Sequence, residues 1–156
     1  MRIVPLAALL ACLVAAGCGA TDHARHASHE PPAADGRQAV EFPEPMRTHT
    51  LANMRDHLAA LQEIQQALAA GAYDRAADVS EKRLGMTSLR AHGSHDVAKF
   101  MPEGMQAAGT AMHRSASRFA VAALDTGATG DVRPALSALA RVTQQCVACH
   151  SAYRVQ

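Results

Sequence analysis

The sequence predicts an all-α fold, an antiparallel four-helix bundle, and three observations point there. Aromatic residues make up 3% of the chain and Trp is absent, so Ala, Leu and Met supply most of the 49% hydrophobic fraction. That composition suits close-packed helices better than β-branched strands. Apolar residues recur at helical steps in four stretches after residue 45. The connections between them are short, which favours antiparallel neighbours. At 156 residues the chain is long enough for one domain with a real core and short for two.

The first element is a secretory leader, residues 1–17. Met1-Arg2 forms a short positive region, and Ile3 to Ala16 is an almost unbroken apolar run too short to span a bilayer. It ends in Ala15-Ala16-Gly17-Cys18, which resembles the lipobox of bacterial lipoproteins, where the cysteine becomes the lipidated first residue. Ordinary cleavage after Ala20 is the alternative. Export implies the periplasm, with Cys18 as the anchor to the membrane if it is lipidated. Residues 18–45 hold Pro31-Pro32, Pro43 and Pro45 with no apolar period and read as a flexible tether. His23, His26 and His29 lie in it with no carboxylate or thiolate fixed around them, so they read as solvated.

Residues 46–156 make the bundle. The first helix is predicted over residues 46–70, with Leu51, Met54, Leu58, Leu61 and Leu68 as its inward stripe and Gly71 as its stop. The second starts at Tyr73-Asp74 and carries Ala77, Leu84 and Leu89. A polar loop over residues 91–100 contains His92, Gly93 and His95. Pro102 suits the first turn of the third helix, where Met105, Met112 and Phe119 keep a seven-residue spacing over small Ala108, Gly109 and Ala116. Gly127 and Gly130 end it. Asp131 is a suitable N-cap for the fourth helix and Pro134 is tolerated in its first turn; Leu136, Leu139, Thr143, Cys146 and His150 then continue one face. No internal repeat and no strand pattern is visible.

Charge excludes two classes of partner. With Arg2 in the leader, basic and acidic residues balance, which gives no footprint for nucleic acid or an anionic membrane face. Cys12 leaves with the leader and Cys18 is the lipid site or is also lost, so Cys146 and Cys149 remain in the folded domain. They belong to Cys146-Val147-Ala148-Cys149-His150. Its spacing is that of c-type haem attachment: two thiols bond the porphyrin and the next residue reaches the iron, all three on one helical face. A thioredoxin-like pair belongs at the start of a helix after a strand. A structural zinc site needs a second ligand pair at comparable spacing, whereas His92, His95 and His113 are scattered.

The run Gln145-Cys146-Val147-Ala148-Cys149-His150-Ser151-Ala152-Tyr153-Arg154, at the extreme C-terminus after four helices, resembles the cytochrome c prime family, as does the Gly130-Asp131 entry to the last helix. The resemblance implies a four-helix bundle with one covalent haem c, held by Cys146 and Cys149 with His150 as proximal iron ligand. It also implies a first-helix residue over the sixth coordination position. Met54 is the first choice there and His57 the alternative, three residues on and on the same face. Met54 as core packing and His57 as an exposed polar residue stay open. Arg47, Arg55 and Arg154 lie in the implied haem surroundings, where guanidinium groups suit propionates.

The function these expectations imply is periplasmic electron transfer by a monohaem cytochrome with an unidentified redox partner. Its alternative is a gas-binding protein for NO or CO with an open sixth site. No carboxylate pair or Ser/His arrangement points to an enzyme. Homodimerisation is left open.

Overall fold

The computed structural model describes residues 34–156; the leader, Cys18 and the histidines at 23, 26 and 29 lie outside them. The described chain is mostly helical, with five α-helices: α1 Glu44–Ala69, α2 Tyr73–Arg83, α3 Ser94–Val97, α4 Glu103–Thr129 and α5 Arg133–Ala152. It is therefore a helical bundle of more than four helices. The added helix, α3, is a single turn between two 3-10 segments, Met86–Arg90 and Ala98–Phe100, where a polar loop was expected.

α1 packs on α2, α2 on α4, and α4 on α5. Their contact faces are built from small residues. Ala60, Ala76, Ala116, Ala123 and Ala135 are fully buried around Ile64, Phe119 and Val142, and the absence of long side chains lets the helix backbones approach. The Ser80 hydroxyl donates to the Ala116 carbonyl at 3.0 Å across the α2–α4 contact. α1 and α2 are further tied by Arg83, whose guanidinium donates to Asp56 at 3.1 Å and to Glu63 at 2.9 Å.

Two strands appear where none was predicted. Gln38–Val40 (β1) and Tyr153–Val155 (β2) pair in parallel, with Ala39 opposite Arg154. β1 lies inside the stretch expected to be a tether, and there Val40 and Phe42 are buried with Val97 and Met105 in a second small apolar cluster. The period-2 signal of a three-residue strand is too short to read in a sequence. Pro43 and Pro45 do not extend a linker; they open α1, at the N-cap and in the first turn. Gly130, in the left-handed region at φ +73°, ends α4. Val132 stands at the N-cap of α5 in place of the expected Asp131, whose carboxylate still accepts the Arg133 backbone N–H at 3.1 Å.

Candidate functional site: an apolar cavity with a histidine wall

A cavity of about 690 Å³ lies among α1, α4, the end of α5 and the segment before α4. α1 contributes Thr50, Leu51, Met54 and His57, and α4 contributes Met105, Gly109, Met112 and His113. Leu89, His92, Val97 and Met101 line it from the connection between α2 and α4. Cys149, His150, Tyr153 and Arg154 complete it from the C-terminal end, with Arg37 beside β1. The lining is chiefly apolar and includes four methionines, whose flexible thioethers conform to ligands of irregular shape.

The strand pair positions the last of these residues. Arg37 Nη1 donates to the His150 carbonyl at 3.3 Å, satisfying one of the open carbonyls at the end of α5. Arg37 is also held by Asp35, whose carboxyl it pushes down to about 2 through its side-chain and backbone hydrogen bonds, three in all. Arg154 Nε stands 3.6 Å from the same carboxylate without a hydrogen bond. A Cβ at Gly104, in the first turn of α4, would press on the Tyr153 hydroxyl, the far end of a side chain that would have to shift.

Three histidines form one wall. The rings of His57 and His92 are 4.8 Å apart between centroids, those of His92 and His113 5.5 Å, and those of His57 and His113 5.9 Å. Backbone contacts place two of them. His113 Nδ1 donates to the Leu84 carbonyl at 2.7 Å, and the His92 carbonyl accepts from His49 Nε2 at 2.9 Å and from Asn53 Nδ2 at 3.1 Å. Burial pushes all three rings below the ordinary imidazole range; for His57, 8% exposed, burial and then the repulsion of His92 and His113 bring it down to about 4. All three are neutral at physiological pH. The sequence left these residues unconnected, since they come from three separate elements that only the tertiary fold brings together.

Among the described residues, three buried side-chain polar atoms have no hydrogen-bond partner: Thr50 Oγ1, His57 Nε2 and Arg154 Nε. All three residues line this cavity. Buried polar groups are normally paired, at a cost of about 1–3 kcal/mol when they are not.

The residues singled out by sequence divide as follows. Met54, His57, Cys149, His150 and Arg154 line the cavity, whereas Cys146 packs against the main core. Arg55 is exposed, and Arg47 pairs with Glu44 at 3.5 Å; neither lines the cavity. Burial raises both thiols above the ordinary range, so Cys146 and Cys149 are protonated at neutral pH.

The iron centre expected from these residues needs correction. Among the described residues, no group of three or more His, Cys, Asp or Glu side chains is arranged to hold a metal ion. Met54, His57 and His150 share a cavity without making such a group. The structure therefore supplies no metal centre from which to conclude haem c, thioether attachment at Cys146 and Cys149, axial roles for His150, Met54 or His57, electron transfer, or gas binding. Neither does it single out a four-helix haem bundle, and the expected membership of the cytochrome c prime family is withdrawn with the iron centre. Haem staining of the denatured chain after acid-acetone extraction checks this correction: retained stain overturns it. Comparison with family models, curated proteins and solved structures found no match.

Proposed function

We propose that the chain is a small-molecule binding protein whose ligand occupies the cavity among α1, α4 and α5. One observation carries this reading: every buried polar side-chain atom without a partner among the described residues belongs to a residue lining the same, otherwise apolar, cavity. A ligand that supplies such partners gains the free energy of those hydrogen bonds. The size agrees, since about 690 Å³ lies within the range of sites for drug-sized ligands. The ligand has an apolar body for the methionines and polar groups for Thr50 and His57, since Arg154 already faces the Asp35 carboxylate at 3.6 Å. Binding is favoured over catalysis because the cavity's nucleophile, Cys149, is held as a neutral thiol.

Gly109 allows a clean test. It lines the cavity on α4, and a Cβ added there meets nothing within 4 Å, so a side chain can start from this position without a clash at Cβ, and the indole of Gly109→Trp takes up cavity volume. Fluorescence titration with anilinonaphthalene sulfonate, an apolar anion, should show saturable binding to the wild-type chain. Gly109→Trp should weaken it about tenfold or more, on the scale of one lost pocket. Equal binding to both proteins contradicts the proposal.

A further inference from the structure

We propose that the wall of His57, His92 and His113 recognises a hydrogen-bond donor on the ligand, a phenol O–H or an amine N–H on an otherwise apolar body. This rests on the reading of the cavity as a binding site and specifies its occupant's chemistry. The argument turns on where the imidazole protons sit. His113 Nδ1 lies 2.7 Å from the Leu84 carbonyl oxygen. A carbonyl only accepts, so the proton is on Nδ1, and the neutral ring has a bare lone pair at Nε2.

His92 is fixed in the same sense. The Ser88 hydroxyl donates to the Gly85 carbonyl at 2.7 Å, which leaves its oxygen to accept from His92 Nδ1 across a longer 3.4 Å. Nε2 of His92 then also carries only a lone pair. His57 Nε2 is buried and has no partner in the protein. With centroids 4.8 to 5.9 Å apart, one ligand group can reach two of the rings. The neighbouring charges are committed elsewhere: Asp56 and Glu63 are bound by Arg83, and His49 is spent on the His92 carbonyl. Two fixed acceptors on one wall select a donor and leave an acceptor-only group unpaired, and a site built for a hydrogen bond rejects an analogue lacking it.

Two probes of nearly equal shape separate the possibilities. Para-ethylphenol offers an O–H, and para-ethylanisole carries a methyl in its place. Calorimetric titration of the full folded protein near neutral pH should show the phenol binding about tenfold tighter or more. His113→Phe and His92→Phe keep an aromatic ring and remove the lone pair, and each should shrink that preference several-fold. Long-range proton–nitrogen NMR of the wild-type chain gives a second readout that needs no variant: both rings should be neutral with the proton on Nδ1. Equal affinity for the two probes overturns donor recognition while leaving the cavity as a binding site. Failure of both to bind overturns it together with the binding reading. A proton on Nε2 of His92 and His113 overturns it at its premise.

Discussion

His57 shows how burial changes a residue that looks ordinary in sequence. In sequence His57 is the alternative sixth ligand or, beside Asp56, an exposed polar side chain; it is 8% exposed, and Asp56 is turned to Arg83 instead. Its folded-state affinity for protons is depressed to about 4 from the ordinary 6.5, by burial first and by His92 and His113 next. The sign follows directly. Above about 6.5 neither the folded nor the unfolded chain protonates this ring; between about 6.5 and about 4 only the unfolded chain does. Stability is therefore lost as pH falls through that window, by up to about 1.4 kcal/mol per pH unit for this one ring. His92 and His113, lowered in the same direction, add to the loss. Urea midpoints across this range should fall steeply for the wild-type protein and less steeply for His57→Leu, which has no ring to titrate. Parallel curves would show that the buried imidazole is not the cause.

At the scale of the elements, the order and ends of the long helices were legible because their signals are local. Pro102 stands just before α4, Gly130 ends it, and Met105, Met112 and Phe119 are buried on one side as their spacing implied. The inward face of α1 was not. Counting large apolar residues put Leu58 on the stripe, yet Leu58 is 70% exposed, while His57, Ala60, Ile64 and Ala67 face inward. α5 repeats the lesson, with Leu136 exposed and Ala135 and Ala138 buried. Where helices approach closely, alanines mark the contact better than leucines do, and a pattern weighted by side-chain size turns the helix the wrong way. Two substitutions on α1 distinguish the faces. Leu58→Ser should change unfolding stability by less than about 0.5 kcal/mol, as surface changes do, and Ile64→Ala should cost about 2–5 kcal/mol through the cavity it leaves. A large cost at Leu58 in chemical denaturation would restore the sequence-based face.

At the scale of the whole molecule, the cavity is a product of topology. The parallel strand pair brings Arg37 to the end of α5, the connection before α4 delivers His92, and α1 and α4 supply the facing histidines and methionines. Local sequence grouped Met54, His57, Cys146, Cys149, His150, Arg47, Arg55 and Arg154 around an expected haem; Met54, His57, Cys149, His150 and Arg154 line the cavity, and Cys146, Arg47 and Arg55 do not. It showed His92 and His113 only as scattered histidines and passed over Thr50, because their placement exists only once distant segments meet. The most direct test of the cavity as a binding site uses its methionines as reporters. Met54, Met101, Met105 and Met112 line it, whereas Met46 and Met86 do not. With methyl-labelled methionine and anilinonaphthalene sulfonate as the probe, the NMR signals of the four lining residues should shift and saturate together while those of Met46 and Met86 stay in place. Shifts confined to Met46 or Met86, or spread evenly over all six, would contradict it.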